Sequence, residues 1–138
     1  MITPTSRILV VDDFELVHLQ MKNILSELGY SQLADCKNGK KGLDLMIDAA
    51  DENEPIELVF CDWNMPDMTG IELLRAVRAD ARLKDTIFVM LTAESEQSYV
   101  TEALNAGAND YVVKPISSEI IKNKIAFLNR KAQKKARA

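Results

Sequence analysis

Three aspartates, one threonine and one lysine could do chemistry in this chain, and each lies directly after a short apolar run. Asp12-Asp13 follow Ile8-Leu-Val-Val11, Asp62 follows Leu58-Val-Phe-Cys61, Thr92 closes the run that begins at Ile87, and Lys114 follows Tyr111-Val-Val113. Taken singly, each has an ordinary explanation as a helix cap, a turn residue or a loop cation. Taken together, they converge on one rim if the four runs are parallel strands. Carboxylates about 4 Å apart repel by roughly 4 kcal/mol at an effective dielectric near ~20, so such a cluster calls for a cation or a proton. Oxygen donors without histidine or cysteine favour Mg²⁺, which keeps several waters and accepts phosphate oxygens into its shell. Phosphoryl transfer needs little more than an in-line nucleophile and countercharges for three equatorial oxygens. One carboxylate would attack, Mg²⁺ and Lys114 would each take an oxygen, and Thr92 with a neighbouring backbone amide would take the third. Spacing alone leaves open which of the three acids attacks.

The apolar runs alternate with helical patterns, the signature of a parallel sheet covered by helices on both faces. After the first run, Phe14, Val17, Met21, Ile24 and Leu28 repeat at spacings of three and four, and Gly29 stops that helix. A less marked strand near Gln32 to Cys36 precedes a turn at Asn38-Gly39, a helix from about Lys40 to Ala50 and a polar break at Asp51 to Pro55. Ile71, Leu74 and Val77 mark the helix after the third strand, and a further helix spans roughly Glu96 to Ala106 before Gly107. Pro115 breaks the chain, Ser117 or Ser118 can cap the last helix, and Ile121, Ile125 and Leu128 give it a buried side. The reading is an α/β fold, a doubly wound (βα)₅ flavodoxin-like sandwich with a parallel five-stranded sheet. Right-handed crossovers leave few orders for five parallel strands, of which 2-1-3-4-5 is the common one, with its switch point between strands one and three.

A chain of 138 residues, 47% of them hydrophobic and 28% charged, suits one self-folding domain and argues against extended disorder. No apolar run approaches the roughly 20 residues of a membrane span, and Met1 to Arg7 lack a secretory signal's apolar stretch, so a cytoplasmic protein without membrane insertion is expected. Net charge is −4, yet Arg130, Lys131, Lys134, Lys135 and Arg137 crowd the last residues, and without them the balance is −9. So acidic a body does not suggest direct nucleic-acid binding. The division is therefore a domain at 1–129 and a basic tail at 130–138, read as a solvated helix end, with a docking segment or linker as the sharper alternative. Cys36 and Cys61 fall in or beside strand-like runs and read as buried reduced thiols. His18, the only histidine, follows Val17 and reads as a surface residue off the apolar stripe. Met21, Met46 and Met90 read as core, and Trp63 reads equally as an exposed reporter or a packed aromatic.

Four stretches carry a resemblance: Leu9-Val-Val-Asp-Asp13, Asp62-Trp-Asn-Met-Pro-Asp-Met-Thr-Gly70, Leu91-Thr-Ala93 and Tyr111-Val-Val-Lys-Pro115. In order, spacing and strand-end placement they resemble the motif regions of bacterial response-regulator receiver domains, across residues 7 to about 129. That resemblance implies that Asp62 is the phosphoacceptor, fed by a histidine kinase or a phosphotransfer protein, and that Asp12, Asp13, Asp62 and the Asn64 backbone carbonyl hold Mg²⁺. It implies that Thr92, the Ala93 amide and Lys114 bind the phosphoryl group, and that Thr92 and Tyr111 form a switch read by an output protein on the face of helix four, strand five and helix five. Tyr99, Tyr111, Val113 and Lys124 belong to that face. Asn64 and Glu94 resemble the pair that tunes dephosphorylation in fast-decaying chemotaxis receivers, and Lys114-Pro115 matches a peptide that is usually cis. Within the family the chain is similar to chemotaxis-type receivers. The stretch Asp48 to Pro55 looks longer, Ser95 and Gln97 stand where an alanine and a lysine are expected, and the basic tail is extra.

Two rivals from other classes share part of this pattern. An aspartate-nucleophile phosphohydrolase also uses a strand-end Asp, a hydroxyl, a Lys and Mg²⁺, but it carries a second acid two residues after the nucleophile, where this chain has Asn64. A flavodoxin-like cofactor carrier needs a hydroxyl- and glycine-rich loop after strand one, and Asp12-Asp13 would repel a flavin phosphate. The chain thus reads as a phosphoacceptor switch that catalyses only its own phosphorylation and dephosphorylation, either alone or as part of a longer regulator.

Overall fold

The computed structural model describes residues 1–137, with side chains as far as Lys135, so the Arg137 side chain and Ala138 of the basic tail lie outside the described residues. Five strands, β1 (Arg7–Val11), β2 (Gln32–Cys36), β3 (Leu58–Cys61), β4 (Ile87–Thr92) and β5 (Asp110–Val113), alternate with five helices. The helices are α1 (Glu15–Glu27), α2 (Gly39–Asp51), α3 (Gly70–Ala79), α4 (Gln97–Asn105) and α5 (Ser118–Arg137). All strand pairs are parallel, as the alternating pattern predicts, and the order is the expected β2-β1-β3-β4-β5. The register places Val11 level with Cys36 on one side and Cys61 on the other, so the chain leaves β1 and β3 at the same height.

Alternation along each strand divides the interior into two layers. Ile8, Val10, Leu58, Phe60, Val89, Leu91 and Val112 face α1 and α5, where Met21, Leu25, Ile121 and Ile125 meet them. Leu9, Val11, Val59, Cys61, Phe88 and Met90 face the other side, against Met46, Ile71, Leu74 and Val77. Each fully buried aliphatic side chain contributes about 1.5–3 kcal/mol relative to exposure, so the two layers are what hold the strand ends in register. The three methionines expected in the core are fully buried. Both cysteines are free and buried, and desolvation pushes the Cys36 thiol up to about 11.

Polar side chains fix the helix starts. The Asn38 side chain accepts from the Lys41 amide at 2.9 Å, Thr69 and Glu72 form a reciprocal capping box, and the Ser117 hydroxyl accepts from the Ile120 amide at 3.2 Å. At the pole opposite the strand C-termini, Arg78 of α3 acts as a staple. Its Nε donates to the Gly107 carbonyl at 3.0 Å, one terminal nitrogen to the Lys84 and Thr86 carbonyls at 2.9 and 2.6 Å, and the other to Asn109 Oδ1 at 2.8 Å.

Two expectations for α1 need correction. Phe14 precedes the helix as its N-terminal flanking residue and is 64% exposed, because β1 must first turn away from the sheet. His18 is not a surface residue: it is 5% exposed and packs with Val17, Met21 and Leu25 on the buried side. Positions 18, 21 and 25 share one helical face, with Val17 beside it, whereas a count started at Phe14 is set off by one residue.

Candidate phosphoacceptor site at the strand C-termini

Asp12 and Asp62 are the first residues beyond β1 and β3, and their strands are hydrogen-bonded neighbours. The Asp62 amide donates to the Val11 carbonyl at 2.9 Å, extending the ladder by one bond and locking the two acids side by side. Asp12 is fully buried, Asp62 is nearly so and Asp13 is exposed, with one oxygen of each within 4.8 Å of the others. Lys114 reaches across from the end of β5, its Nζ 2.7 Å from Asp12 Oδ2 and 3.4 Å from Asp62 Oδ2. Its own amide donates to the Thr92 carbonyl at 2.8 Å, which ties the β5 end to the β4 end.

Each acid is held differently. Both oxygens of Asp12 are engaged, Oδ1 by the Phe14 amide at 2.9 Å and Oδ2 by Lys114. Burial nevertheless raises the Asp12 carboxyl above its ordinary range, with the hydrogen bonds from Lys114 and Phe14 pulling the other way. Asp62 Oδ1 accepts from the Trp63 amide at 2.7 Å, while Oδ2 has only the longer contact to Lys114. The Lys114 ammonium therefore contacts two of the three clustered carboxylates. This all-oxygen cluster, with negative charge in excess of the lone ammonium, is chemically suited to a hard divalent cation.

Thr92 closes β4 and is fully buried. Its hydroxyl accepts from the Glu94 amide at 3.4 Å, and the Tyr111 hydroxyl donates to the Glu94 carbonyl at 2.5 Å, so Glu94 is held from both sides. Tyr111 is 8% exposed, and burial pushes its phenol up to about 12. The Asn64 side chain donates to Glu94 Oε1 at 2.7 Å, joining the loop after β3 to the loop after β4. Ala93 is exposed on that same loop, and Lys114-Pro115 is cis. Trp63 resolves to the packed alternative, 6% exposed and edge-on to Tyr99 of α4 with ring centroids 5.0 Å apart.

Sequence reasoning does not find three neighbours of this site. The Lys114 ammonium lies 5.9 Å from the centre of the Phe14 ring. Gly70, first residue of α3, lies so close to the loop after β3 that an added Cβ would come within 2.1 Å of the Asp62 carbonyl oxygen. The His18 ring meets the Asp12 carbonyl.

The fold and the strand-end cluster are those of an α/β receiver, and residues 8–126 match the family model of the response regulator receiver domain, to which the chain belongs. Over 119 residues it is 43% identical to the chemotaxis protein CheY of Pseudomonas aeruginosa, covering 86% of this chain and 92% of that protein. The solved structure of the chemotaxis response regulator CheY4 of Vibrio cholerae superposes with a TM-score of 0.79 at 28% identity, over 88% of this chain and 97% of that one. The BeF₃-activated DrrB receiver domain gives 0.75 at 26% identity, over 91% and 98%. The chain is a chemotaxis-like receiver. No helix among its described residues is long and apolar enough to cross a membrane.

Proposed function

We propose that this receiver accepts a phosphoryl group from a histidine kinase or phosphotransfer protein onto Asp62 Oδ2 and converts it into a change of protein contacts. The observation that carries the reading is the unequal engagement of the acids: Asp62 alone combines near-complete burial with one oxygen free of any short hydrogen bond. The Trp63 amide fixes its other oxygen and so aims the attacking one. As the new P–O bond forms, the bond to the donor nitrogen breaks, and the electron pair leaves with the imidazole. Lys114 shifts from carboxylate oxygens to a phosphoryl oxygen, and the Thr92 hydroxyl and Ala93 amide take another. Mg²⁺, held by Asp12, Asp13, Asp62 and the Asn64 carbonyl, supplies positive charge toward the phosphoryl oxygens when bound. Asn64 and Glu94, joined across the mouth of the site, steer the water that later hydrolyses the acyl phosphate. Residues 1–129 are the working receiver, and the tail from Arg130 onward is a solvated basic segment whose Arg130, Lys131, Lys134 and Lys135 side chains are exposed on α5.

The test is labelling by a small phosphodonor such as acetyl phosphate. Incorporation is expected only with Mg²⁺, as a hydroxylamine-labile acyl phosphate lost well within hours. Labelling that persists in excess chelator, or that resists hydroxylamine, would reject the reading.

Output follows from the groups that hold Glu94. A Thr92 hydroxyl drawn to a phosphoryl oxygen gives up the Glu94 amide, which leaves that loop held by Tyr111 and by the Asn64 side chain. Because the phosphoryl group binds only one arrangement of Thr92 well, it shifts the population toward that arrangement. The output partner reads the surface of α4, β5 and α5, where Val113 is 39% exposed, Lys124 pairs with Asp110 at 3.0 Å, and Tyr99 and Tyr111 form the inner margin. Amide exchange with and without BeF₃⁻ should change in α4 and β5 as well as around Asp62. Changes restricted to the Asp62 loop would exclude this route.

A further inference from the structure

The only histidine of the chain is buried against the acid pair, and no step of the phosphoryl chemistry uses it. Its Nε2 lies 2.5 Å from the Asp12 carbonyl oxygen. A carbonyl can only accept, so Nε2 carries the proton and donates. Among the described residues no backbone amide takes this oxygen, although the other side of the same residue is tied, the Asp12 amide donating to the Cys36 carbonyl at 3.1 Å. The ring's second nitrogen, Nδ1, lies 3.6 Å from Asp35 Oδ1 of β2, too far for a hydrogen bond. The Asp12-Asp13 peptide is thereby clamped between β2 and α1 just where the chain leaves β1.

We propose that His18 is a positioning residue for the metal site: by donating to the Asp12 carbonyl it sets the plane of the Asp12-Asp13 peptide and hence the direction of the Asp13 carboxylate. Asp13 needs such help. It is exposed, and no side-chain hydrogen bond holds it among the described residues, whereas the Asp12 carboxylate is fixed by Phe14 and Lys114. A donor behind the first layer of ligands typically changes metal affinity by about 10- to 100-fold when removed. A histidine that merely fills the core would instead be replaceable by any side chain of similar volume. This inference rests on the Mg²⁺ reading of the acid cluster.

The experiment is a Mg²⁺ titration of the full chain by Trp63 fluorescence, with metal-free stability measured in parallel by urea. His18→Leu keeps the volume and loses the donor, while His18→Gln keeps a donor. The half-saturating Mg²⁺ concentration is expected to rise about tenfold in His18→Leu and to be largely restored in His18→Gln, whatever the metal-free stabilities. Equal half-saturation in wild type and His18→Leu would overturn the proposal alone. A wild type indifferent to Mg²⁺ would overturn the metal reading and this inference with it. A readout that depends on no variant is available because the histidine is unique: its imidazole ¹⁵N–¹H signal in the wild type should be slow to exchange and should shift on Mg²⁺ addition. A ring signal unmoved through saturation would equally reject the positioning role.

Discussion

Asp62→Asn is expected to remove phosphoryl incorporation altogether, by at least about 100-fold relative to wild type, since an amide oxygen is not a competent nucleophile toward phosphorus. The substitution conserves shape, and the remaining side-chain oxygen could still accept from the Trp63 amide, so the fold should survive. Its stability should even gain slightly, because one of three crowded charges is gone. Asp12→Asn and Asp13→Asn should behave differently: they weaken the dependence on Mg²⁺ and slow labelling, but leave the attacking oxygen in place. Label retained on the desalted protein, measured for all three variants under one donor concentration, separates these cases. Stoichiometric labelling of Asp62→Asn would show that another acid attacks.

The second large effect concerns a methyl group. In Gly70→Ala the new Cβ would stand 2.1 Å from the Asp62 carbonyl oxygen and 3.0 Å from the Trp63 Cα, and both obstacles are backbone. Neither can rotate away, so α3 or the acceptor loop must shift by about an ångström. The displaced loop would strain the 2.8 Å bond from the Gly70 amide to the Trp63 carbonyl. Overpacking of this kind costs about 3 kcal/mol. Urea unfolding should show that loss together with a large drop in labelling, because the same loop carries Asp62. Gly29→Ala provides the contrast: nothing lies within 4 Å of its Cβ, its only penalty is the positive φ of 100°, and labelling should be untouched. A Gly70→Ala protein as stable and as readily labelled as wild type would mean that the helix start and the acceptor loop are not in contact.

How much of this is legible in the sequence depends on burial. β1, β3 and β4 are covered on both faces, so Leu58-Val-Phe-Cys61 and its counterparts read as unbroken apolar runs that could hardly be anything else. β2 is an edge strand with a largely exposed or half-exposed pattern, and Gln32 to Cys36 accordingly gives the weakest signal, although its bounds agree with the structure. Asp12, Asp62, Thr92 and Lys114 are legible because a parallel sheet brings strand ends together wherever the chain alternates regularly. Gly70 is not, since a backbone-to-backbone approach leaves no trace in hydrophobic pattern. His18 escapes an apolar stripe counted from Phe14. Counted with Met21 and Leu25, the same histidine falls on the buried face, and a polar ring there demands a partner.

The Arg78 staple has a mechanical consequence for any signal that leaves the acceptor. It pins the Gly107 carbonyl just beyond the C-terminal end of α4, together with Asn109 at the entry to β5. At the other end of α4, the neighbouring Glu94 is tethered by the Thr92 hydroxyl, Tyr111 and the Asn64 side chain. The helix is thus a lever with a fixed fulcrum and a releasable tip. On the proposed route, freeing the tip would swing α4 about its far end rather than translate it, so the displacement is expected to grow toward Gln97, beside Asp62, and to fade toward Asn105.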